Sequence, residues 1–177
     1  MNPYELAQKV KRVKYILIDV DGVLTDGGIY ILDDGTEFMR FDAKDGMGIM
    51  ILKSLSYGIG FISGRSNKAV EHRAQSLGIT DLFQGVQDKI IIYEEVKEKY
   101  GLKDEEIAYV GDDINDVPVM EKAGFAVTVA DSAKEARKCA HYVTRLPGGR
   151  GAIRELADLF LTILKKSPLT EIMFRQA

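Results

Sequence analysis

Tyr15-Ile16-Leu17-Ile18-Asp19-Val20-Asp21-Gly22-Val23-Leu24-Thr25-Asp26 decides the fold. Its first four residues form an unbroken apolar run, as expected of a strand buried on both faces. Two acids and a glycine follow at once. The same grammar recurs downstream. The apolar run 59–62 leads into Ser63-Gly64-Arg65, and 107–110 leads into Gly111-Asp112-Asp113. Shorter strand-like runs occur at 82–83, 125–129 and 141–143. Helical periodicity fills the intervals, at 45–56, 66–77, 89–100, 116–123, 132–139 and 151–166. Met47 and Met50, with Ile51, Leu52 and Leu55, are expected to face the core, as is the run Ile90-Ile91-Ile92. Buried strands alternating with helices imply α/β architecture: a doubly wound parallel sheet with right-handed crossovers. One interval departs from this pattern. Residues 28–41 hold two alternating runs around Asp33-Asp34-Gly35, the pattern of a β-hairpin inserted after the first strand.

Composition narrows the class. The chain has 177 residues, with 24 Lys or Arg against 27 Asp or Glu, for a formal charge of −3. That length is expected to form one domain, 1–177, ending in a tail of mixed composition, 167–177. An apolar fraction of 46% with 29% charged residues excludes disorder and fibrous architecture. Mild acidity argues against a nucleic-acid partner, which calls for a basic face. A lone Cys139 cannot close an internal disulfide. Residues 1–14 carry no signal-type apolar run, and no stretch reaches the ~20 apolar residues that span a bilayer. The expectation is a soluble cytoplasmic protein with no membrane partner.

Ligands of open parallel sheets bind just outside the carboxyl ends of the strands. Asp19 and Asp21, Ser63, and Asp112 all fall there. Carboxylates crowded on one edge repel unless a divalent cation lies among them. An all-oxygen donor set favours Mg²⁺. A carboxylate in such a site can attack phosphorus and form an aspartyl-phosphate, for which Asp19 is the candidate. Asp21, two residues on, can protonate the leaving alcohol and later activate water. A hydroxyl and a fixed cation must then face the transferring phosphoryl group. Ser63 and Lys89 suit these parts. Lys89 opens a helix, where the macrodipole disfavours positive charge unless an anion sits beside it.

The segment Asp19–Asp26 resembles the first motif of the haloacid dehalogenase superfamily of phosphatases. Ile62-Ser63-Gly64-Arg65 resembles its second, Lys89 its third, and Gly111-Asp112-Asp113-Ile114-Asn115-Asp116 its fourth. The resemblance implies a Rossmann-like fold, Asp19 as nucleophile and Asp21 as general acid and base. It implies Ser63 and Lys89 as phosphate ligands, Asn115 at the substrate, and Mg²⁺ held by Asp19, Asp112 and the main chain of Asp21. The intervals from Asp21 to Ser63 and from Lys89 to Asp112 are already filled, so neither holds the cap domain common in that superfamily. A capless site is expected to take macromolecules or to be closed by another subunit, since the reaction benefits from excluding water.

Within the superfamily, four features resemble the 3-deoxy-D-manno-octulosonate (KDO) 8-phosphate phosphatases. These are the hairpin 28–41, the loop Asp42-Ala43-Lys44-Asp45-Gly46-Met47-Gly48, the pair Arg65 and Arg73, and Gly148-Gly149-Arg150-Gly151-Ala152-Ile153-Arg154-Glu155. This resemblance implies a sugar acid phosphate substrate bound by Asp21, Lys44, Asp45, Gly46, Arg65, Arg73, Lys89 and Asn115. It also implies a homotetramer joined through its hairpins, and a product that feeds lipopolysaccharide synthesis. Two alternatives stay open. One is a phosphatase for related nonulosonate 9-phosphates. The other is a non-catalytic phospho-acceptor or binding domain, disfavoured because the second strand ends in Ser63 and not in an aspartate.

Overall fold

The computed structural model describes residues 1–168; most of the expected tail, from 169 on, lies outside the described residues. The chain opens with α1 (Pro3–Arg12) and β1 (Tyr15–Asp19), then a short hairpin, β2 (Tyr30–Ile31) and β3 (Glu37–Phe38). There follow α2 (Ala43–Ser54), β4 (Gly58–Ile62), α3 (Lys68–Ser76), β5 (Asp81–Phe83), α4 (Lys89–Tyr100) and β6 (Ile107–Val110). The rest is α5 (Val117–Lys122), β7 (Phe125–Thr128), α6 (Lys134–Cys139), β8 (Tyr142–Val143) and α7 (Ala152–Leu164). Six strands pair in parallel in the order β5-β4-β1-β6-β7-β8. This is the α/β Rossmann-like sheet expected, with no cap domain among the described residues.

The pleat divides the core in two. Ile16 and Ile18 of β1 point toward a layer built from α1, α2, α3 and α7. Tyr15 and Leu17 point the other way, toward Tyr93, Val96, Val119, Met120 and Ala136 from α4, α5 and α6. Because β1 is central, both of its faces are covered, and all five of its residues are buried. The switch in strand order on either side of β1 opens the carboxyl edge there, between β4 and β6.

Three local readings differ from expectation. Residues 1–14, where no element was expected, contain an amphipathic helix. Asn2 caps α1, its side chain accepting from Glu5 N at 2.9 Å while Glu5 reaches back to Asn2 N. Met47 and Met50 are exposed, since α2 turns Ile49, Ile51, Leu52 and two glycines inward. Ile91 likewise faces solvent. The hairpin strands are only two residues each, paired Tyr30 with Phe38, whose rings stack at 4.9 Å.

Helices α2 and α7 are joined by a buried carboxylate. Asp45, in the first turn of α2, accepts from Gly151 N at 3.0 Å, Ile153 N at 2.9 Å and Arg154 N at 3.1 Å. It thereby satisfies the N–H groups that the start of α7 leaves without helical partners. Asp45 caps a distant helix from outside. Removing it leaves buried donors unsatisfied, which costs about 1–3 kcal/mol beyond the lost bonds. Asp45→Ala is therefore expected to lower unfolding free energy by roughly 2–4 kcal/mol. Urea titration would show the midpoint falling; an unchanged midpoint would remove Asp45 from this part.

Candidate active site

Asp19 is the last residue of β1 and is 3% exposed. The Lys89 ammonium, buried at the start of α4, donates to Asp19 Oδ1 at 2.7 Å and to Asp116 Oδ1 at 2.6 Å. Tyr109 on β6 donates its hydroxyl to the same Asp116 oxygen at 2.6 Å, and Asp112 N and Asp113 N donate to Asp116 Oδ2. All of the acceptor strength of Asp116 is thus spent within the protein. Beside it, Ser63 Oγ at the end of β4 donates to Asp21 Oδ2 at 2.7 Å and accepts from Arg65 N at 3.0 Å.

Asp19, Asp21, Gly22, Lys89, Asp112 and Asn115 line one open cleft of about 270 Å³, together with Arg65. The structure therefore gathers the three acids, the lysine, Arg65 and Asn115, with Ser63 bonded to the Asp21 wall. It does not gather the rest. Arg73 donates to Asp42 O at 3.1 Å and lies over the Phe41 ring, packed on Gly46. Asp45 is consumed by α7. Lys44 is exposed and lines a different cleft with Arg150 and Arg154. These four were expected at the substrate; tertiary packing has taken Arg73, Asp45 and Gly46 for the α2–α3–α7 layer. Arg65 itself pairs with Glu37 of the hairpin at 2.5 Å, which ties that ribbon to the rim of the cleft.

Sequence reasoning gave no part to Asp116 or Tyr109. Asp116 falls within the fourth motif, yet only the fold shows its carboxylate meeting Lys89, 27 residues earlier. One carboxylate oxygen each of Asp19, Asp112 and Asp116 lie within 4.8 Å of one another. Asp112 Oδ1 is buried with no hydrogen-bond partner. A bare buried carboxylate oxygen among acids fits a hard divalent cation. Asp19 and Asp112 would hold it, because Asp116 is already saturated with donors. Burial, with the neighbouring Asp116 charge, pushes Asp19 well above the usual carboxylate range. The same two causes push Asp112 up to about 7. Burial acts to lower Lys89, but the charges of Asp19 and Asp116 outweigh it and hold the ammonium charged.

Such a cleft offers a carboxylate fixed beside an ammonium, a second carboxylate on a hydroxyl, and an all-oxygen cation site, the requirements of phosphoryl transfer through an aspartate. The haloacid dehalogenase-like hydrolase family matches the chain over residues 67–151. The chain belongs to that superfamily. The KDO 8-phosphate phosphatase of Escherichia coli (strain K12) is 44% identical over 157 residues, 89% of this chain and 84% of that protein. The phosphatase of the same name from Yersinia pestis superposes with a TM-score of 0.88 at 42% identity, covering 92% of this chain and 88% of that one. The Moraxella catarrhalis enzyme, solved with magnesium, phosphate and KDO, superposes at 0.89 with 36% identity, covering 92% and 93%. Within the superfamily, the chain belongs to the KDO 8-phosphate phosphatase family.

The raised carboxylates couple stability to pH. Asp19 and Asp112 bind protons more tightly folded than unfolded, so the stability they confer is complete below the ordinary carboxylate range. It is lost as pH rises, through about 7 for Asp112. The Mg²⁺-free protein is expected to melt lower at about pH 8 than at about pH 5.5, and saturating Mg²⁺ to raise the melting temperature more at the higher pH, since protons and cation compete for the same oxygens. Equal Mg²⁺ shifts at both pH values would contradict this.

Proposed function

We propose that the chain is a Mg²⁺-dependent phosphatase that hydrolyses KDO 8-phosphate, or a sugar acid phosphate closely like it, to the free sugar acid and phosphate. The observation that carries the reading is Asp19 held through one oxygen by buried Lys89, in the same cleft as the Ser63–Asp21 pair. Asp19 attacks phosphorus, the bond from phosphorus to the sugar oxygen breaks, and Asp21 gives its proton to that oxygen. Asp21 then takes a proton from water as the water attacks the aspartyl-phosphate, breaking the bond to Asp19 and releasing phosphate. Lys89 and the Ser63 hydroxyl stabilise the phosphoryl oxygens, Ser63 turning its hydrogen from Asp21 to do so. A bound Mg²⁺ would supply charge neutralisation between the carboxylates and the incoming phosphate. Arg65 and Asn115, which line the cleft, would bind the sugar acid. Asp19→Asn should keep the fold and lower turnover at least about a thousandfold, since an amide cannot attack phosphorus. Phosphate release from a panel of eight- and nine-carbon sugar acid phosphates and simple hexose phosphates would check both mechanism and class. Comparable hydrolysis of hexose phosphates would overturn the class; turnover in the Asn variant would overturn the mechanism.

The reading includes one domain over the whole chain and a homo-oligomer, a tetramer, that shields each capless cleft. Its support is the hairpin, where Ile29 and Ile31 are each 62% exposed and Phe38 is 47% exposed. A two-stranded ribbon with so much apolar surface favours pairing, and closed symmetry satisfies every copy at once. A phosphorylated sugar acid is too highly charged to cross a bilayer unaided, so the reading puts the enzyme where that substrate is made, in the cytoplasm. Light scattering should report a mass well above the 19.7 kDa of one chain, and the double variant Ile31→Asp, Phe38→Asp should lower it. A fully active monomer would overturn the oligomer.

A further inference from the structure

The turn that carries Asp21 is backed by residues 148 and 149, which do not themselves line the cleft. Gly22 follows Asp21 with φ +86°, a conformation that favours glycine. On its cleft side, a Cβ at Gly22 would overlap the Asp112 carboxylate. On its far side, the Gly22 carbonyl oxygen lies against Gly148, so closely that a Cβ at Gly148 would overlap that oxygen. Gly22 therefore meets the Asp112 carboxylate where a Cβ would lie and Gly148 at its carbonyl oxygen, and neither contact leaves room for a side chain.

The backstop is itself anchored. Gly148 N donates to Asp131 Oδ1 at 3.0 Å, and Gly149 N donates to Val23 O at 2.9 Å. Arg40 Nη1 donates to Gly149 O at 2.8 Å. On the turn itself, Gly22 N donates to Thr25 Oγ1 at 3.2 Å, and buried Thr25 donates in turn to Val20 O at 3.3 Å. A peptide unit is planar and trans, so fixing the direction of Gly22 N–H fixes the opposed direction of the Asp21 carbonyl. Gly148 sets how close the turn stands to Asp112; Thr25 sets which way its carbonyl points.

We propose that Gly148 and Asp131 are positioning residues for the reaction: they hold the Asp21–Gly22 turn at the spacing from Asp112 at which both can serve one divalent cation. The inference rests on the Mg²⁺-phosphatase reading for its consequence, while its geometry is independent of it. Slackening the backstop lets Gly22 retreat from Asp112. Displacements near 1 Å are enough to cost about a hundredfold in rate when reacting groups lose alignment. Substrate grip at the rim involves other residues, so KM is expected to change little.

Asp131→Ala, Asp131→Asn and Gly148→Ala test this, each compared with wild type in two measurements. The first is steady-state kinetics on KDO 8-phosphate across a Mg²⁺ series. The second, without substrate, is the Mg²⁺ concentration that half-saturates the rise in melting temperature. Asp131→Ala should lower kcat roughly ten- to a hundredfold, raise the Mg²⁺ midpoint in both measurements, and leave KM within about twofold at saturating Mg²⁺. Asp131→Asn retains the acceptor oxygen and should restore both values; Gly148→Ala should exceed Asp131→Ala. If Gly148→Ala does not fold, the Asp131 pair decides. A lower melting temperature with unchanged kcat and Mg²⁺ midpoint would make the loop merely structural and overturn the inference, as would an Asn variant as impaired as Ala. A wild type that releases no phosphate overturns the phosphatase reading instead, and the substrate-free Mg²⁺ series still judges the turn.

Discussion

The buried ammonium of Lys89 is the constraint on which the carboxyl edge depends. It is 2% exposed and touches two buried carboxylates, Asp19 and Asp116. Removing one partner from such an arrangement strands the others without water or counter-charge. The charge balance is informative. The carboxylates of Asp19, Asp112 and Asp116 against one ammonium leave two negative charges uncompensated, which is the charge of one divalent cation. Asp112, the member with no ammonium of its own, is also the one with a bare buried oxygen. Lys89 thus separates the part of the cluster that is complete within the protein from the part suited to a divalent cation.

Tyr109 and Asp116 extend the same logic inward. Lys89 opens α4, where the helix dipole works against a cation, and burial adds to the penalty. Asp116 offsets both, but only if it is held in place with its charge fully accepted by donors. The Tyr109 hydroxyl and two main-chain N–H groups do this. The catalytic pair of Asp19 and Lys89 is therefore supported from β6 and the loop after it, while Asp21 is supported from β4 through Ser63. Each acid of the first loop has its own neighbour in the sheet.

The elements most legible in the sequence are those governed by near neighbours. The runs ending at Asp19, Ser63 and Asp112 announce buried strands because each apolar stretch stops at a polar residue on the same edge. Helix α4 runs from Lys89 to Tyr100, the bounds its periodicity implies. What the sequence does not show is several side-chain partners chosen across the fold. Asp45 lies in a loop-like stretch rich in polar residues and reads as a ligand, yet its partners are more than a hundred positions away at the start of α7. Arg73 reads as a cation near the phosphate edge, but the fold lays it on Phe41 and Gly46. Met47 and Met50 read as core because they are apolar, whereas the glycines of α2 occupy the inner face. Helix α1 is also legible: Asn2, Pro3 and Glu5 carry the capping signal, and Leu6 and Val10 lie one turn apart on its inner face.

Asp19 and Asp21 are separated by one residue, yet the fold makes them chemically unlike. Asp19 ends a strand, lies almost wholly buried at the cleft and is bound to an ammonium. Asp21 lies beyond the strand in a turn with φ −76° and ψ 117°, is half-buried, and carries a hydroxyl on one oxygen. A nucleophile benefits from the first setting, where its orientation is fixed by the strand and the ammonium. A proton carrier needs the second, because it must be recharged from solvent in every cycle. The turn at Gly22 is what changes one environment into the other within two residues, and it can do so only because Gly148 leaves room behind it for the main chain and nothing more.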